Sequence, residues 1–167
     1  GGYDANNIIK KLCTILPNFL EKMKIKIILG PITKKTNCLK KIENNFKNKL
    51  EIIRYTDDLR KQIVQSKIGL CSGGVTTYEF ASVKVPFGII CQYKHQKITA
   101  LEWEKNGYGI NLGQMDKESI KKIEEFLNNI LENKINLKIN NILINTNGAK
   151  KVKNEILKSF KQETNKT

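Results

Sequence analysis

Hydrophobic positions along the chain switch repeatedly between helical and strand-like spacing, and that alternation predicts an α/β fold. Ile8, Leu12, Ile15, Leu16 and Phe19 recur at helical intervals, with Asp4 placed to cap the start and Pro17 placed to stop or kink the stretch. Ile25 to Leu29 is a short apolar run closed by Gly30-Pro31, which reads as a buried strand and turn. A Lys/Asn-rich helix follows over 37–47, with Leu39, Ile42 and Phe46 on one face. Strands over 50–55, 68–71, 87–92 and 108–112 then alternate with helices over 57–65, from the Gly73-Gly74 loop to Val83, 95–106, 116–131 and 148–160. Gly107 suits the position just past a helix end. Strands separated by single helices imply βαβ units and a mostly parallel sheet. Ligands of such sheets bind beyond the carboxyl ends of the strands, so the loops that follow strands carry the interest.

Size and composition narrow the classes. At 167 residues and 40% hydrophobic content the chain suits one domain with a proper core. No apolar run approaches the roughly eighteen residues of a membrane span, and no signal-peptide pattern opens the chain, so a cytoplasmic protein is expected. The formal charge of +14 invites a nucleic-acid reading, but the lysines are dispersed among abundant Asn and Ile, as an AT-rich genome encodes. A basic nucleic-acid module needs clustered cations with exposed aromatics, whereas the aromatics here fall mainly in predicted core segments. A solvated lysine surface is the plainer reading, and no nucleic-acid partner is expected.

Cys13, Cys38, Cys71 and Cys91 form no C-x-x-C pair, and His95 is the sole histidine. They read as free thiols in a reducing cytosol rather than as zinc ligands. No carboxylate cluster has metal-ligand spacing, and no G-x-G-x-x-G follows the first strand, so neither a metal nor any other cofactor is expected. The domain is expected over 1–162, with a polar tail over 163–167.

Ser72-Gly73-Gly74-Val75-Thr76-Thr77-Tyr78-Glu79 is the most informative stretch. It lies between a predicted strand and a helix, and backbone N–H groups there suit a phosphate. Thr76-x-x-Glu79 also fits a capping box, which leaves Glu79 divided between reaching back to the cap and contacting a ligand. Gly1-Gly2-Tyr3-Asp4 is a second Gly-rich turn before a helix, although a flexible terminus or cloning remnant explains it as well. His95-Gln96 opens a helix after a strand, and the glutamine amide suits sugar hydroxyls.

Taken in order, Gly1-Gly2-Tyr3-Asp4, Tyr55-Thr56-Asp57-Asp58-Leu59, Gly73-Gly74-Val75-Thr76-Thr77-Tyr78-Glu79, Pro86, His95-Gln96 and Gly107 resemble the C-terminal domain of family 28-type glycosyltransferases of the GT-B fold. Within that group the chain is most similar to the UDP-sugar hydrolase of pseudaminic acid biosynthesis and to spore coat polysaccharide proteins. The resemblance covers residues 1 to 113, with a terminal helix after Asn147-Gly148 fitting beyond. It implies a Rossmann-like, three-layer domain that binds a UDP-sugar. Gly1 and Gly2 would form the first phosphate loop, and the backbone around Tyr55 would meet the uracil. Gly73, Gly74, Val75, Thr76 and Thr77 would hold the diphosphate. Glu79 would accept from the ribose hydroxyls, and His95 with Gln96 would lie near the diphosphate and sugar. The resemblance also implies an N-terminal domain and a strand feeding Gly1, both absent from this chain. The catalytic residues would belong to that domain, leaving this chain able to bind without turnover. Sheet edges exposed by the absent strand would favour pairing into a homo-oligomer.

Overall fold

The computed structural model describes residues 4, 6–114, 116–135, 137, 144 and 147–164. Helices and strands alternate as the periodicity predicts. Two short helices, α1 (Ile8–Leu12) and α2 (Leu16–Leu20), precede β1 (Ile25–Ile28), α3 (Asn37–Asn45) and β2 (Leu50–Ile53). Then come α4 (Leu59–Val64), β3 (Gly69–Ser72), α5 (Thr76–Ser82), β4 (Phe87–Cys91) and α6 (Gln96–Lys105). The chain continues through β5 (Ile110–Gln114), α7 (Lys117–Leu131) and α8 (Gly148–Thr164). The last helix runs through Thr164, so it extends past Gln162, where the polar composition predicts fraying.

Local signals explain most boundaries. Asp4 accepts from the N–H groups of Ile8 and Ile9 at 2.8 and 3.1 Å, satisfying donors that the first turn of α1 leaves open. Asp58 caps α4 through the Lys61 N–H, and Asp116 forms a reciprocal capping box with Ser119 on α7. The hydrogen bond from the Ser119 N–H holds the Asp116 carboxyl below its ordinary range. At the end of α6, Gly107 takes φ 72°, the Gly107 N–H donates to the Glu104 carbonyl and the Tyr108 N–H to the Trp103 carbonyl. That pair of bonds is the Schellman arrangement that a glycine past the helix end permits. Several ends shift by a few residues, as at β5, expected over 108–112 and found at Ile110–Gln114, and one boundary differs in kind. The 8–19 stretch is two helices with a turn over 13–15, and Pro17 sits inside the first turn of α2 rather than closing a helix, because an imino nitrogen is tolerated there.

All strand pairing is parallel, but the described strands form two sheets: β1-β2, and β3-β4-β5. The mostly parallel α/β architecture is thus present, divided between these two sheets. Among the described strands each sheet has two unpaired edges, β1 and β2 in the smaller and β3 and β5 in the larger, and α2 packs on both halves. Ile15 and Phe19 pack with Ile90 and Leu112 of the larger sheet, while Leu16 and Leu20 pack with Leu29 and Leu50 beside the smaller one. Ile25 of β1 and Leu70 of β3 both border the first of these clusters. β4 is buried at every position, as the middle strand of its sheet, whereas β3 is only half-buried throughout.

A third cluster joins Phe80, Phe87, Ile89 and Trp103 beneath α5 and α6. Here Gly69 is required by space: a Cβ on it would fall inside the Phe80 ring. At the outer strand, Gly113 with φ 81° accommodates an extra β5 residue between the Ile89 and Cys91 registers. Replacing Gly69 by Ala forces Phe80 out of its place on Phe87, and overpacking of this kind costs about 1–3 kcal/mol. Urea unfolding measures that loss, with Ser82→Ala on the exposed surface of α5 as a near-neutral control.

Candidate functional site

The β3–α5 loop leaves the carboxyl end of β3 at Ser72 and turns at once. The Gly74 N–H donates to the Ser72 carbonyl at 2.8 Å, and the Thr77 N–H donates to the Gly74 carbonyl at 3.1 Å. Gly73 is buried against the start of α6, where a Cβ would lie 2.9 Å from the Gln96 Cβ and 3.1 Å from its carbonyl oxygen. Only a glycine lets these backbones approach so closely.

Thr77 fixes the turn from below. Its side chain is fully buried, its hydroxyl donates to the Gly74 carbonyl at 2.8 Å, and it accepts from the Trp103 indole N–H at 3.1 Å. The hydroxyl is therefore committed inside the protein, so the diphosphate role that the resemblance implies for Thr77 does not extend to its side chain. Val75 is exposed and already in the right-handed helical region, with φ −55° and ψ −32°. No side chain caps α5, so the Thr76–Glu79 capping box is not formed. A cap residue needs extended backbone, and the chain here turns helical one residue too early. Among the described residues, nothing bonds the Glu79 carboxylate, and nothing accepts from the N–H groups of Val75 and Thr76. Burial pushes the neighbouring Cys71 thiol up to about 12, with the Glu79 charge adding to the effect.

The second loop follows β4. Gln96 is nearly buried and its side-chain carbonyl accepts from the Gln92 N–H at 2.7 Å, closing the turn from strand to helix. His95 is exposed at the start of α6, stacked on Tyr93 with ring centroids 5.7 Å apart and planes 6° from parallel. Asn6 donates to the Gln92 carbonyl at 2.6 Å and so ties the segment before α1 to the same loop. Sequence reasoning passed over Asn6; an amide side chain just before a helix start was the available signal. The structure thus brings together the Gly73–Thr77 turn, Gln92, Gln96 and Asn6 at the carboxyl ends of β3 and β4.

Tyr55 stands apart on the other half-sheet, just past β2, largely exposed, its hydroxyl pKa raised by a hydrogen bond with the Asp57 carboxylate. Gly1 and Gly2 lie outside the described residues. Phe19, Phe80, Phe87, Trp103 and Phe126 are buried, in keeping with aromatics lying mainly in core segments, whereas Tyr55, Tyr78 and Tyr93 are exposed. Each follows or precedes a glycine-rich or polar turn, where an apolar ring need not face inward. A concavity of about 310 Å³ lies one strand over, between Lys97 and Leu101 of α6, the end of β5 and the first turns of α7. None of the sequence-predicted residues lines it. Among the described residues no group of three or more metal-binding side chains forms, and no helix is long and apolar enough to cross a membrane.

The profile of the glycosyltransferase family 28 C-terminal domain matches residues 1–156. The chain belongs to that family. No curated protein matches the chain. As a family 28 C-terminal domain it is a sugar-donor-binding α/β domain, the Rossmann-like half of the GT-B fold, with a sugar nucleotide as its ligand. The match runs well past residue 113 and takes in β5, α7 and the first half of α8. For the family 28 domain, the loop after β3 is held from inside by Thr77. Replacing Thr77 by Val leaves the buried Trp103 N–H unpaired, at a cost of about 1–3 kcal/mol, while Thr77→Ser retains most of the stability. Fluorescence of Trp103, the sole tryptophan, follows the unfolding directly.

Proposed function

We propose that this chain is the UDP-sugar-binding domain of a nucleotide-sugar hydrolase of the pseudaminic acid pathway type. The observation that carries the reading is the β3–α5 loop. It pairs two unengaged backbone donors, on Val75 and Thr76, with the unpaired Glu79 carboxylate one helical turn further on. Phosphate oxygens need donors and a ribose diol needs a bidentate acceptor, so one loop and one helix offer both halves of a nucleotide site. In the proposed complex Gly73, Gly74, Val75 and Thr76 hold the diphosphate through the backbone, with Gly1 and Gly2 as the first phosphate loop. Glu79 takes the ribose, the backbone at Tyr55 meets the uracil, and His95 with the amide nitrogen of Gln96 faces the diphosphate and sugar. Water attacks between sugar and nucleotide, the bond to the diphosphate breaks, and charge gathers on the leaving diphosphate where the loop amides stabilise it.

A family 28 transferase that hands the same sugar to an acceptor is the second reading, favoured by the family match itself. The two share this domain's ligand and differ in the half that would activate water or bind an acceptor.

Both readings include a further N-terminal domain of the same polypeptide and a strand leading into Gly1. An unpaired edge on β1 and one on β3, with Ile25 and Leu70 bordering the same hydrophobic cluster, support a parallel strand between them. The exposed stripe of Val152, Ile156 and Leu157 on α8 supports contact with the further domain. The unpaired edges of the two sheets are expected to drive self-association. Size-exclusion chromatography of the 167-residue chain should give an oligomer, and a strictly monomeric profile at every concentration counts against the open-edge account.

Calorimetric titration tests the ligand. UDP should bind in preference to CDP, GDP and NAD, and Glu79→Gln should weaken it about tenfold, or roughly 1.4 kcal/mol. If none of the four binds, either to this chain or to a version carrying the N-terminal domain, the reading is wrong.

A further inference from the structure

Cys13 and Cys38 lie 25 positions apart in sequence, yet their sulfurs are 2.7 Å apart. Cys13 is the residue that closes α1, and Cys38 is the second residue of the nine-residue helix α3, next to its cap Thr36. Both are partly exposed, so a small oxidant reaches them. A formed disulfide spans about 2.0 Å, so closure needs the sulfurs to approach by less than about 1 Å. We propose that Cys13 and Cys38 are a reversible intrachain disulfide site, closed by an oxidant of the hydroperoxide class.

The surroundings divide the labour between the two thiols. Burial pushes Cys13 up to about 12, and the neighbouring Cys38 adds to the rise. Burial acts on Cys38 in the same direction, but hydrogen bonds from Cys13, from Thr36 and from the Leu39 N–H outweigh it and hold this thiol below its ordinary value. With both protonated, Cys38 donates to Cys13; once Cys38 ionises, Cys13 donates in return. Thr36 Oγ1, 3.0 Å from the Cys38 sulfur, adds a hydroxyl donor, and the start of a helix favours the anion. Cys38 is thus the attacking thiolate and Cys13 the resolving thiol.

The electron count closes with the peroxide alone. The Cys38 thiolate attacks one peroxide oxygen, an S–O bond forms, the O–O bond breaks, and the departing hydroxide takes a proton to become water. Cys13 then attacks the Cys38 sulfur. The S–S bond forms, the S–O bond breaks, and the thiol proton leaves with the hydroxide as a second water. Two thiols are oxidised by two electrons and the peroxide is reduced to water. The resulting link fastens the end of α1 to the first turn of α3, enclosing α2 and β1 in its loop. Cys71 and Cys91 lie on neighbouring strands with their thiols raised chiefly by burial, which disfavours the thiolate that oxidation requires.

The experiment treats the reduced 167-residue protein with a small excess of hydrogen peroxide, then counts free thiols and maps peptides without reduction. Two of the four thiols should disappear, the intact mass should fall by two hydrogens, and one crosslinked peptide should contain Cys13 and Cys38. Dithiothreitol should restore all four thiols, and the oxidised form should unfold at a higher temperature. Cys13→Ser should instead stop at a Cys38 sulfenic acid that dimedone traps, and Cys38→Ser should lose reactivity at this site. Survival of all four thiols, an interchain link, or a crosslink through Cys71 or Cys91 overturns the proposal.

Discussion

Trp103 donates its indole N–H to Thr77, and the same hydroxyl donates to the Gly74 carbonyl, so the candidate binding loop hangs from the aromatic core. A buried indole N–H without a partner costs about 1–3 kcal/mol, which makes this junction stringent. The ring is held in turn by Phe87 at 5.5 Å, Tyr78 at 5.2 Å and Tyr108 at 6.2 Å between centroids, so β4, α5 and the end of α6 all fix its orientation. Gly73 completes the junction from the other side, because its missing side chain lets the loop rest on Gln96. The loop's exposed donors and the Glu79 carboxylate are thereby positioned by residues that face away from them.

The split sheet places a second constraint on function. β4 and β5 form a complete core with α6 and α7, and the glycine loop and Gln96 belong to that half. Tyr55 belongs to the other half, where β1 and β2 rest on α3 and on α2. A nucleotide reaching from the uracil position proposed at Tyr55 to the phosphate position at Gly73 would cross the line between the two sheets. On the proposed reading the site is an open shelf spanning the two half-sheets rather than an enclosed cavity.

Several elements were legible because a local group decides them. Asp58 and Asp116 cap helices, and Gly107 ends one, through bonds that reach only a few residues along the chain. The glycine loop after β3 was legible for the same reason, since a strand, two glycines and a helix are adjacent in sequence. Features decided by distant packing were not. Thr77 reads as a ligand residue until Trp103, twenty-six positions on, claims its hydroxyl. Glu79 reads equally as a cap until the helical backbone at Val75 removes the cap geometry. Cys13 and Cys38 show no motif spacing at all, and only the docking of α1 beside α3 makes them neighbours. The break between α1 and α2 is hard to read, because apolar residues keep helical spacing across it and both short helices pack toward both half-sheets.

The most direct measurement is an amide NMR titration of the chain with UDP. Shifts concentrated at Gly73, Gly74, Val75, Thr76, Glu79 and Gln96 are the predicted result, with a weaker set near Tyr55. Shifts centred on the concavity between Asn111 and Lys122, or spread evenly over the lysine-rich surface, would contradict the account.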